Sequence, residues 1–189
     1  MITLLALAAL AQAQPAPAAG VAAPGVAAIP GVTVRHYDVT GKTIREIHQS
    51  LTASAPKNPA TAQPVPASST WSMKVGTKFT RTGAKCAITG TTATFTGEAT
   101  LPRLIADPTT PPAVLANWNS YLAQLDARQA EQLRYAYEHR LEVEAAVRAS
   151  SCDNWQPAAN AAISQLRQQS SAARSTDPAL QPVLRDVGK

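Results

Sequence analysis

The chain has 189 residues, 45% of them apolar and 15% charged, with a formal net charge of +5. That length holds one domain with a substantial core and little more. It contains no run of about 18 apolar residues that could span a bilayer, no Gly-rich phosphate loop or nucleic-acid signature, and no Gly-x-Ser-x-Gly nucleophile elbow.

Residues 1–13 read as a secretory signal, with an apolar run from Ile2 to Leu10 and a small-x-small ending, Ala11-Gln12-Ala13. Residues 14–31 are uncharged and rich in Ala, Pro and Gly, the composition of a linker. The expected location is therefore the periplasm or the medium outside the cell. A single domain is expected over residues 32–179, followed by a tail at 180–189.

Val32 to Val39 is β-branched and aromatic, and short enough for a strand ended by Gly41. Thr43 and Glu46 then stand three apart in the pattern of a capping box. Ile44, Ile47 and Leu51 give the helix that follows an apolar stripe to about Ala53. Pro56 to Pro66 reads as a loop. Trp71, Met73, Val75, Thr77 and Phe79 alternate with Ser72, Lys74, Gly76, Lys78 and Thr80, which is the period of a half-buried strand. Gly83 marks a turn. Cys86 to Leu101 forms a second strand region, broken at Gly90 and Gly97 and paired antiparallel with the first.

Thr110 is the expected N-cap of a long helix, with Pro111 at its first position, running to about Ser150. A second helix is expected near Pro157–Ser170. In the long helix Trp118, Tyr121, Leu122, Leu125, Gln129, Gln132, Leu133, Ala136 and Arg140 share one i, i+3, i+4, i+7 lattice. Arg128, Gln129 and Gln132 interrupt that apolar stripe. Polar groups on an inward face cost stability unless they have partners.

The order Trp118, Tyr121, Leu125, a five-residue slot, then Arg134-Tyr-Ala-Tyr-Glu-His139 resembles the domain of unknown function 922 family, described as secreted zinc-dependent proteases. The segment Tyr37-Asp-Val-Thr-Gly-Lys-Thr43 and Leu101-Pro102-Arg103 resemble that family too. The resemblance implies a slot of His-Glu-x-x-His, two imidazoles one helical turn apart with the glutamate as general base. Here the slot is Arg128-Gln129-Ala130-Glu131-Gln132, so both ligand positions and the base position differ. The family's third ligand lies in a C-terminal Tyr-Asp-x-x-Thr-x-His-Gly pattern. In the matching stretch, Ala172 to Ala179, Thr176 survives and Pro178 stands where the histidine would be. The resemblance thus implies a member without a metal site and with no cofactor. An unpaired guanidinium on an inward face is costly, so Arg128 is expected near Asp177 or another carboxylate, or reaching solvent along its stem.

Cys86 and Cys152 are the two cysteines, and in an exported chain an even pair is expected to form a disulfide. His36, His48 and His139 form no i, i+4 pair. Glu138, Glu142 and Glu144 interleave with Arg140 and Arg148, the pattern of a salt-bridged exposed helix face. Residues 1–100 hold eight Lys and Arg against three Asp and Glu, whereas residues 101–189 hold nine against nine. Lys74, Lys78, Arg81 and Lys85 belong to that excess. They suit either attraction to an anionic surface or acidic partner, or a solvated strand face.

The expectation is an α+β fold, a small antiparallel sheet with an N-terminal helix, packed against a long C-terminal helix and a second shorter helix. Its expected role is an exported, catalytically inactive relative of the protease family that binds a protein or peptide beside the long helix. The alternatives are an active metallopeptidase with other ligands and a structural envelope protein.

Overall fold

The structure, a computed structural model, describes residues 25–173 and Leu184. The expected signal and most of the linker, and also Thr176, Asp177 and Pro178, lie outside the described residues. The elements are β1 (Val32–Thr40), α1 (Ile44–Ser54), β2 (Ser68–Thr82), β3 (Lys85–Ile105), α2 (Pro112–Glu138), α3 (Arg140–Arg148) and α4 (Trp155–Ala173), preceded by one 3-10 turn at Val26–Ala28. The α+β class is as expected.

The sheet has the order β1-β3-β2. β2 and β3 pair antiparallel as expected. β1 runs parallel to β3, from Val32 opposite Gly97 to Thr40 opposite Ile105, so the sheet is mixed rather than antiparallel throughout. The connection makes this possible: α1 and the loop after it carry the chain back before β2 begins, and a parallel neighbour needs such a crossover. Gly90 and Gly97 do not break β3. The strand passes through both, and only a one-residue register shift opposite Lys78 and Phe79 marks the region.

Residues 25–31 belong to the folded body rather than to the linker. Val26 is 1% and Ile29 5% exposed, and the Val26 N–H donates to Asp126 Oδ1 at 3.1 Å. Leu184, from the expected tail, also packs against the core.

The capping box of α1 forms as read: Thr43 Oγ1 accepts from the Glu46 N–H, and Glu46 Oε2 accepts from the Thr43 N–H. Ile44, Ile47 and Leu51 are buried against Val39 and the rest of the core. The long helix begins one residue later than expected, with Pro111 as N-cap and Pro112 at the first position. A proline disfavours helical backbone in the residue before it, so Pro112 holds Pro111 extended at ψ 140°.

The same helix is not continuous to Ser150. It stops at His139, which has φ −86° and ψ 7°, and α3 starts at Arg140. His139 Nδ1 lies 2.8 Å from the Tyr135 carbonyl, the acceptor that its own N–H also uses, and its ring stacks on Tyr135. Arg140 Nη1 donates to the Tyr137 carbonyl at 2.8 Å. Side chains that compete for the backbone ladder loosen it without any Gly or Pro.

Candidate functional site in the long helix

α2 lies across the sheet and buries Trp118, Tyr121, Leu125, Gln129, Ala130, Gln132, Leu133 and Ala136. Leu133 sits over Gly97, where an added Cβ would come within 3.2 Å of its Cδ2. Phe95 meets Tyr137 edge-on, with ring centroids 5.8 Å apart. This packing presents residues 128–132 of α2 to the first residues of β2.

Gln129 and Gln132 are 3% and 9% exposed, on adjacent turns of one face. Between them stands the Ser69 hydroxyl, 2.8 Å from Gln129 Oε1 and 3.2 Å from Gln132 Oε1. One hydroxyl proton serves one carbonyl well, and a rotated amide can return an N–H to the hydroxyl oxygen. The three side chains thus form a neutral, hydrogen-bonded plug between helix and sheet. Arg128 is partly buried, and among the described residues it has no ion-pair partner. The carboxylate expected beside it, Asp177, lies outside the described residues.

Ser69 was not singled out by sequence, although the signal was there. Extending the alternation of Trp71, Met73 and Val75 back by one step puts Ser69 on the same inward face. It pairs with the buried Ala99 across the ladder.

A cavity of about 400 Å³ lies one turn before the slot. Val34, Leu101, Leu122 and Ala123 supply its apolar wall, and His36, Asn119 and Asp126 its polar groups. His36 therefore belongs to this cavity, while His48 lines a separate one of about 390 Å³ with Leu51, Tyr121 and Leu184. His139 is at the helix break, 3.9 Å from Glu142. The structure does not bring the three histidines together. Among the described residues no three His, Cys, Asp or Glu side chains form a group that could hold a metal.

Tyr121 and Tyr37 face each other near that second cavity. Burial pushes the Tyr121 phenol up to about 12. Burial, and then the neighbouring Tyr121, push Tyr37 up further, and the Tyr37 hydroxyl donates to the Pro66 carbonyl at 2.8 Å.

Cys86 and Cys152 are joined, with Cα atoms 6.2 Å apart. The bridge ties the start of β3 to the connection between α3 and α4. Nearby, Glu144 does not lie on an exposed salt-bridged face as expected. Its side chain is 13% exposed, and Oε1 accepts from the Ala93 N–H at 2.8 Å while Oε2 keeps an ion pair with Arg148 at 3.6 Å. β1 reaches only to Gly97, so among the described residues β3 has no strand partner on that side at Ala93, and the carboxylate serves the N–H instead.

The chain that folds into this α+β domain matches the family model described as "Bacterial protein of unknown function (DUF922)" over residues 34–176. The match covers well over half of the chain, and the chain belongs to that family. No curated protein and no solved structure matches it. No helix among the described residues is long and apolar enough to cross a membrane.

Proposed function

We propose that this chain is an exported, non-catalytic member of its family that binds an extended protein or peptide segment along α2. The observation that carries the reading is the plug of Gln129, Ser69 and Gln132. In the slot that resembles His-Glu-x-x-His, neutral amides occupy the base position and the second ligand position, and a guanidinium the first. Zinc sites are built from imidazole, thiolate and carboxylate, and an arginine repels the ion. The cavity beside the slot supports the binding half of the proposal. An apolar wall with a few polar groups is the usual composition of a ligand pocket, here Val34, Leu101 and Leu122 with Asp126 and His36.

The test is calorimetric titration with zinc of the wild type and of Arg128→His/Gln129→Glu/Gln132→His. No stoichiometric binding is expected from the wild type, and weak binding from the triple variant, because Pro178 still occupies the position of the third ligand. Tight one-to-one zinc binding by the wild type would overturn the non-catalytic reading. For the binding half, peptides selected on the wild type should lose affinity on Leu122→Arg, and peptides indifferent to that change would place binding elsewhere.

A further inference from the structure

One face of the β2–β3 hairpin is covered by α2, α3 and α4, and among the described residues the other is bare. Cross-strand partners share a face, so the register assigns Ser72, Lys74 and Lys78 of β2 to the bare side together with Thr92, Thr94 and Thr96 of β3. Lys85, opposite Thr82, continues that side to the turn. Lys74, Lys78, Lys85 and the three threonines are all exposed. From residue 71 to residue 97 the sequence has four basic side chains and no acidic one. The nearest carboxylate on this face, Glu98, is held by Arg35 at 2.8 Å. Among the described residues none of the three lysines has an ion-pair partner.

Lys74 and Lys78 are four residues apart on one strand, roughly 13 Å at the rise of a β-strand. That exceeds the reach of a single phosphate or carboxylate, and it exceeds the Debye length of about 8 Å at physiological salt. Each ammonium can therefore take its own counter-charge, and a laterally extended anionic surface supplies one to each. The face contributes no residue to the cavities described above. It has no aromatic ring on which a base or a sugar could stack, since Trp71 and Phe95 lie on the covered side. Threonine hydroxyls between the lysines can hydrogen-bond phosphate oxygens.

We infer that the bare face of the β2–β3 hairpin, through Lys74, Lys78 and Lys85, adsorbs the protein onto an anionic phospholipid bilayer. This adsorption is independent of the groove along α2 and leaves it free. It is electrostatic and reversible, because this face has no large apolar side chain to enter the hydrocarbon.

Co-sedimentation of the disulfide-bonded chain from Gln14 onward, without the expected signal, with vesicles tests the inference. Vesicles of phosphatidylcholine with about one-third phosphatidylglycerol should retain the protein at low salt and release it as salt rises. Pure phosphatidylcholine vesicles should not retain it. Lys74→Glu/Lys78→Glu/Lys85→Glu should weaken retention by about tenfold or more, and the milder Lys74→Gln/Lys78→Gln should weaken it measurably. Arg81→Glu changes a charge on the opposite face of the same hairpin and should leave most of the retention. Circular dichroism confirms that each variant is folded. Equal retention by neutral vesicles, a lysine series with no effect, a loss as large in Arg81→Glu, or retention on heparin but not on anionic vesicles would each overturn the inference.

Discussion

Ser69 is the residue on which the candidate site turns, because it supplies one hydroxyl to two buried amides. Ser69→Ala should cost about 1–3 kcal/mol, the usual penalty for stranding a buried polar group. Gln129→Ala should cost a similar amount, and a double-mutant cycle read by urea unfolding should give less than the sum of the two. Strict additivity would show that the two side chains do not act together. The tyrosine pair has its own signature. A phenol whose folded pKa is raised stabilises the fold fully below its unfolded value, and that contribution is lost as pH rises through the folded value. For Tyr121, pushed up to about 12, the window runs from about pH 10 to about pH 12. Alkaline unfolding followed by phenolate absorbance and circular dichroism should fall in that window, and Tyr121→Phe should shift its midpoint upward. An unchanged midpoint would remove Tyr121 from the alkaline transition.

Between elements, the tightest constraint is the crossing of α2 over β3. At Gly97 an added Cβ would lie 3.0 Å from Val32 Cγ2 and 3.2 Å from both Leu133 Cδ2 and Phe95 Cζ. Three neighbours from β1, α2 and β3 cannot all yield, so Gly97→Ala should destabilise the protein by about 1–3 kcal/mol, as overpacking usually does. Gly90, in the same strand, meets only the flexible Lys78 side chain, at 3.5 Å and beyond. Gly90→Ala should therefore be near neutral, and thermal unfolding of the two variants separates a specific clash from a general intolerance of alanine in β3. The break at His139 belongs to this scale as well. It lets α3 turn Val143 and Val147 into the core and bring Glu144 to the open edge of β3.

At the scale of the molecule, the Cys86–Cys152 bridge closes a loop of 66 residues that contains most of β3, all of α2 and all of α3. In the chain-entropy account such a loop contributes about 4 kcal/mol through the unfolded state. Cys86→Ser should lower the unfolding free energy in urea by about that amount, and the oxidised wild type should show no titratable thiol. A loss well under 1 kcal/mol would mean that the unfolded chain is already constrained there. The charge is divided by the same architecture. The bare hairpin face carries the lysines, while Arg103 pairs with Asp38 at 2.7 Å and Lys42 with Asp107 at 3.2 Å elsewhere on the surface.

Local patterns determined the features that depend on near neighbours. The Thr43 and Glu46 capping box, the alternation along β2, the apolar stripe of α2 and the antiparallel hairpin all follow from spacings of two to four residues, which the backbone geometry enforces wherever the segment lies. The pairing of Cys86 with Cys152 followed from there being only two cysteines. The slot at residues 128–132 was legible as a polar interruption, because an inward stripe tolerates none without a partner. Who the partner is was decided by the tertiary structure, since Ser69 lies 60 residues from Gln129. The same holds for the parallel docking of β1 on β3, for Glu144 on the Ala93 N–H, and for the burial of Val26 and Ile29, which lie in a segment that composition marked as linker. Each is a contact between groups distant in sequence, chosen because the fold left a backbone donor or an apolar surface uncovered at that point, and no local period encodes such a vacancy.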